Sequence, residues 1–127
     1  MDYFELYKLS LRIINDNHPS YFQNFLDSSM SYNETSNLRK KFGDESVIDT
    51  FMEIIKNQID DNIIKGSVTL TKDDDLISIN GLTTLGHEYL KQLDNQKFFN
   101  KLKSIAKSTG KQITVTTVSS LISKLLF

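Results

Sequence analysis

Apolar positions in this chain recur at two different periods, and the places where the period switches outline its elements. Tyr3, Leu6, Tyr7, Ile13 and Ile14 fall at helical spacing, and Asp2 followed by Glu5 has the form of a capping box, so a helix is predicted over 3–15. Asn15, Asp16, Asn17 and His18 end it, and Pro19 is suited to the first turn of a second helix with Phe22, Phe25 and Leu26 on its apolar face. From Ser28 to Asp44 the chain is polar. Leu38 and Phe42 stand four apart there with Gly43 behind them, which predicts a short helix.

The clearest helical segment is 45–61, with Asp44 as its expected cap. Val47, Ile48, Phe51, Met52, Ile54, Ile55 and Ile59 fill one arc, and Glu45, Asp49, Glu53, Lys56 and Asp60 fill the other. Asn62 tolerates the left-handed backbone that would stop this helix. The period then drops to two. Val68 and Leu70 alternate with Ser67, Thr69 and Thr71, and Ile77 and Ile79 alternate with Ser78 and Asn80. Lys72 and Asp73 to Asp75 form a polar turn, and Gly66 and Gly81 mark the outer ends of a hairpin. Helical spacing returns after a Thr83 cap with Leu85, Tyr89, Leu90 and Leu93, and again over 96–108 with Phe98, Phe99, Leu102, Ile105 and Ala106. The β-branched stretch Ile113 to Val118 is ambiguous by propensity. Ile113 before a Thr114 cap, with Val118 four residues past it, reads as a hydrophobic staple and favours a final helix.

A helix, a hairpin and a new helix in succession are how a winged helix closes. The expected class is α+β, mostly α, with a winged-helix core over 1–95, a two-stranded wing, and a helical hairpin over 96–127 packed on that core in one domain. The residues Leu82, Thr83, Gly86, His87, Glu88, Tyr89 and Leu90 resemble the LTxxGHxFL signature of a family of small uncharacterised proteins of bacterial prophages and mobile elements. The Lys-rich helix, Gly110, and then Ile113, Thr114, Val118, Leu121 and Ile122 are similar to that family's closing helix. The resemblance covers roughly 45–127. It implies a winged-helix core with a helical extension, and no activity.

Length and composition narrow the class further. A chain of 127 residues can bury a core without staples, and with no cysteine it forms neither disulfides nor thiolate metal sites. The longest apolar run, Leu125, Leu126 and Phe127, is far too short to span a bilayer. A cytoplasmic protein is expected. The net charge of −1 hides a division along the chain. Residues 1–90 hold 8 Lys or Arg against 15 Asp or Glu, a net of −7, and residues 91–127 hold 7 Lys against one Asp, a net of +6. Such a dipole speaks to partners and association rather than to fold.

Candidate chemistry is sparse. His87 is followed by Glu88 but has Lys91, not His, four positions on, so the HExxH zinc arrangement is missing, and His18 sits in a turn. Asp73, Asp74 and Asp75 lack the spread, the turning Gly and the closing Glu of a calcium loop. No phosphate loop, GxSxG elbow or carboxylate pair is present, so neither an enzyme nor a cofactor is expected. The helix over 45–61 is the one a winged helix offers to DNA. Its outer arc presents Glu45, Asp49, Glu53 and Asp60 with a single Lys56, and the hairpin tip adds Asp73, Asp74 and Asp75. Phosphates would meet like charge there.

Two functions follow from different classes. The first is a non-enzymatic, protein-binding accessory factor of a phage or mobile element, whose acidic face engages a basic surface on a protein partner, such as a host nucleic-acid-binding defence protein. The second is a DNA-binding transcription regulator that uses the basic carboxy-terminal residues Lys97, Lys101, Lys103, Lys107 and Lys111, helped by Arg39, Lys40 and Lys41. Head-to-tail association of the acidic body with a neighbour's basic tail is a third, blander outcome.

Overall fold

The computed structural model describes residues 1–110 and 112–126. Asp2 caps the first helix with its carboxylate, accepting the Glu5 amide at 3.1 Å. This helix, α1 (Tyr3–Asn17), runs two residues past its expected end and stops at His18 in the left-handed conformation. Pro19 does not open the second helix. It begins a short extended stretch in which Tyr21 forms a β-bridge to Ser78 and the Ser20 carbonyl accepts the Ile79 amide at 2.8 Å. A residue without an N–H is well suited to lead into an edge pairing of this kind. Next come α2 (Phe22–Ser29), α3 (Asn33–Phe42) and α4 (Asp44–Asp60).

Asp44 is not the cap of α4. Gly43 holds that place, and the Asp44 carboxylate instead accepts Arg39 Nε at 2.8 Å from the last turn of α3. The two helices are thereby joined end to end. Asn62 adopts the left-handed conformation expected of it, and the chain turns into β1 (Ile64–Thr69) and its antiparallel partner β2 (Leu76–Leu82). The strands begin earlier than their alternation suggests. Gly66 and Gly81 lie inside them, Gly66 opposite Ile79 next to a bulge, and Leu70, expected on the apolar face, lies beyond β1 and is 78% exposed. The core-facing set is Ile63, Ile64, Ile77, Ile79 and Leu82.

Three helices complete the chain: α5 (Thr84–Leu93), α6 (Gln96–Ser108) and α7 (Val115–Leu126). The Thr114 hydroxyl accepts the Thr117 amide at 3.3 Å, so the β-branched stretch starts a helix as its staple and cap predict. Among the described residues the fold is α+β, mostly helical, with seven helices around one two-stranded antiparallel sheet. None of the helices is long and apolar enough to cross a membrane.

One buried cluster draws on all helices except α3, and on both strands. Its largest fully buried side chains are Tyr7, Phe25 and Phe51, with the rings of Phe25 and Phe51 edge to face at 5.1 Å. Phe99, Leu102 and Ala106 of α6 and Val115, Val118 and Ile122 of α7 belong to the same cluster, which seats the basic tail on the rest of the molecule. Lys8 and Lys103 both stand over the Phe99 ring, at 4.1 and 5.0 Å.

Candidate functional site

The signature residues of the hairpin closure do structural work. The Thr83 hydroxyl accepts the Gly86 amide at 2.9 Å and donates to the Asn62 carbonyl at 2.7 Å, with the Ile63 carbonyl at 3.0 Å. The Thr83 amide also reaches Ile63, at 3.0 Å. Gly86 packs so tightly that a Cβ there would sit well under 3.0 Å from the Ile63 carbonyl oxygen. The first turn of α5 is in this way pinned across the end of α4. His87 and Glu88 of the same run are exposed. Among the described residues no three His, Asp or Glu side chains converge as metal ligands.

On α4 the inner positions Val47, Phe51, Ile54, Ile55 and Gln58 are buried, and Glu45, Asp49, Glu53 and Asp60 are exposed. At about 100° per residue these four carboxylates span an arc of about 80°. Lys56, between Glu45 and Asp49 on the same arc, turns to the hairpin and pairs with Asp75. Two consequences follow. Asp73 and Asp74 are exposed, whereas Asp75 is half-buried against Lys56 and is not the open carboxylate that the sequence predicts. The one cation of the helix face is also paired within the molecule, which leaves Glu45, Asp49, Glu53 and Asp60 without an ion-pair partner among the described residues.

The tail lysines are divided. Lys97 and Lys101 project on the outer side of α6, while Lys103 and Lys107 lie on the flank beside Met1 to Phe4 of the amino terminus. Lys103 pairs with Asp2 at 3.1 Å. Lys111 lies outside the described residues. Arg39 is held by Asp44, which raises the guanidinium's pKa and lowers that of the carboxylate through their hydrogen bond. A single basic stripe of the kind that tracks a phosphate backbone is therefore not assembled from the described lysines.

Sequence reasoning missed a polar cleft of about 360 Å³ where the end of α4 meets α5 and α7. Asn57 and Asp61 line one wall, Leu85 and Tyr89 another, and Thr116, Ser119, Ser120 and Ser123 of α7 the third. Ser119 donates to the Asp61 carboxylate. Burial raises the pKa of the Tyr89 hydroxyl, which stands near Ser123, and does so more strongly for Tyr7 behind Ser119. One signal was present in the sequence: hydroxyls at 116, 119, 120 and 123 share a helical face, and hydroxyl residues are otherwise poor choices for a helix interior. Comparison of the chain with protein-family models, with curated proteins and with solved structures finds no match.

Proposed function

We propose that the chain is a winged-helix protein whose recognition surface has been turned to protein binding. The winged-helix reading is supported by the order of the elements and by the Tyr21–Ser78 bridge, which adds the stub of a third strand between the first two helices and the hairpin. On that reading α4 is the recognition helix and β1–β2 the wing. The observation that carries the functional proposal is the outward face of α4, with Glu45, Asp49, Glu53 and Asp60 exposed and Lys56 withdrawn to Asp75. This surface repels a polyanion and attracts a basic protein, with the gain falling chiefly on association rate and partner choice. An accessory role in a phage or mobile element, including inhibition of a host nucleic-acid-binding defence protein, belongs to the same proposal and is supported by the resemblance of Leu82 to Leu90 described above.

The test is a pair of titrations at low salt, one with protamine as a basic polypeptide and one with a 20-base-pair duplex. Protamine is expected to bind with steep salt dependence and to lose about tenfold or more when Glu45, Asp49 and Glu53 are all replaced by Lys. The duplex is expected not to bind. Micromolar duplex binding that falls on replacing Lys97 and Lys101 by Glu would overturn this reading in favour of a DNA-binding regulator, which the exposure of those two lysines favours.

A further inference from the structure

The cleft at the carboxyl end of α4 departs from two local rules. A helix carries partial negative charge at its carboxyl end, and a cation in the last turn ordinarily meets it. α4 has no basic residue in its last turn. It closes instead on Asp60 and Asp61, and among the described residues neither takes part in an ion pair.

Hydrogen bonding is also incomplete. Tyr7 and Gln58 are fully buried, yet the Tyr7 hydroxyl and the Gln58 side-chain oxygen have no partner, and neither does the side-chain oxygen of Asn57 on the cleft wall. Buried groups of this kind are normally satisfied. Tyr7 does not line the cleft but lies behind its wall, with its hydroxyl beside Ser119 and Gln58. The Asp61 carboxylate, the negative end of a 17-residue helix and the orphaned Asn57 oxygen thus belong to the walls of one space, with no basic residue on them among the described residues. Places where a chain breaks local rules without internal compensation are where function is expected.

We propose that this cleft binds a guanidinium group. Its planar fork offers five donors, carries a fixed positive charge and is more weakly hydrated than an ammonium, which suits acceptors spread over α4 and α7. The same chemistry comes either from a small free guanidine or from an arginine side chain of a partner protein. The inference goes beyond the basic-partner reading and does not depend on it, because none of the four outward carboxylates of α4 is among the residues that line the cleft.

The test follows the backbone amide signals of Asp61, Ser119 and Ser123 in the ¹⁵N-labelled full chain. Three probes are titrated: ethylguanidinium, acetyl-Gly-Arg-Gly-amide, and the same tripeptide with citrulline, which keeps the shape of arginine without its charge. Both guanidinium probes are expected to shift these signals with a Kd on the order of 1 mM, and the citrulline peptide to bind about tenfold more weakly. A tripeptide bound at least as tightly as ethylguanidinium assigns the site to a partner's arginine, and a weaker one assigns it to a free guanidine. Asp61→Asn, which keeps an acceptor for Ser119, should weaken both guanidinium probes about tenfold, while Glu45→Gln leaves them unchanged. Citrulline binding equal to arginine, or an unaltered affinity in Asp61→Asn, overturns the proposal. So does the absence of any shift up to about 50 mM, which would leave the cleft an ordered-water site.

Discussion

The two ends of the hairpin are built from the same chain yet answer to different constraints. At its base, Ile63, Ile64, Ile79 and Leu82 are buried, Gly66 and Gly86 admit no Cβ without striking a backbone carbonyl, and Thr83 bonds across to the end of α4. At its tip, Leu70 is 78% exposed, Leu76 is 52% exposed, and the turn is held by the Lys56–Asp75 pair and by Thr71, whose hydroxyl accepts the Asp74 amide and donates to the Asp74 carbonyl. The base is therefore specified by packing, and the tip is left exposed. α4 repeats the contrast around its own axis, with an inner face of Phe51, Ile54 and Ile55 and an outer face of carboxylates.

The sharpest way to break this comparison is to place one substitution at each end. Gly86→Ala forces a carbon into the Ile63 carbonyl, with no flexible side chain to yield, and should destabilise the chain by about 2–3 kcal/mol. Leu70→Ser at the tip should change stability by less than about 0.5 kcal/mol. Urea unfolding of the two variants measures both. A tip substitution that proves as damaging as the base one would mean that the tip is packed in the molecule's working form.

Behind the base, Gln58 links α1 to the hairpin: its side chain donates to the Tyr7 carbonyl at 3.3 Å, and its own carbonyl accepts the Ile63 amide at 2.8 Å. Tyr7 provides a pH readout of this interior. Burial, the largest cause, raises the pKa of its hydroxyl, so the folded chain keeps a proton that the unfolded chain releases above about pH 10. Stability is thus intact below that pH and lost above it, by about 1.4 kcal/mol per pH unit for one proton. Tyr7→Phe should flatten this alkaline slope in denaturant melts between pH 9 and about 11.5. An unchanged slope would place the hydroxyl in contact with water.

Thr83→Ala removes the cap of α5 and the link to Asn62, and is expected to lower stability by about 1 kcal/mol in the same melts. The tip's own restraint is weaker. A double-mutant cycle on Lys56→Ala and Asp75→Ala should return a coupling of about 0.5 kcal/mol, because both side chains are partly solvated. A coupling several times larger would show the wing to be rigidly held against α4 and would move the tip into the same class as the base.

What the sequence made legible divides along the same line. Gly86 answers the close approach of the Ile63 carbonyl, which only the fold brings there, whereas the closure at Asn62 and Thr83 was readable because each residue answers a local backbone demand. The tail helix at Thr114 was readable for the same reason. The strand ends were misread at Gly66 and Leu70, since β1 continues back past the glycine and across a bulge to Ile64 and stops at Thr69, leaving Leu70 outside. Val68, Ile77 and Ile79 keep the phase their alternation predicts. The cleft was out of reach because its walls come from positions near 57–61, 85–89 and 116–123, and only packing brings these together. Lys56 shows the same limit: its place on the arc was legible, but its diversion to Asp75 was not.

The smallest effect lies at the joint between α3 and α4. Hydrogen bonding to Arg39 lowers the pKa of Asp44, so the folded chain binds this proton less readily than the unfolded chain does. The pair's contribution is present above the ordinary aspartate pKa and is lost as pH falls through the lowered folded value. Asp44 is exposed and Arg39 partly so, which leaves the pair open to screening, so added salt should erase much of the effect. Asp44→Asn is therefore expected to leave the unfolding midpoint nearly unchanged at neutral pH and high salt, and to remove a shallow acid-side slope at low salt. Asp44 could not supply both a side-chain cap for α4 and this bond to Arg39, and Gly43 in the cap position leaves its carboxylate free to join the two helices. A large loss at neutral pH in high salt would instead mean that Asp44 stabilises the first turn of α4 by itself, as the sequence alone suggests.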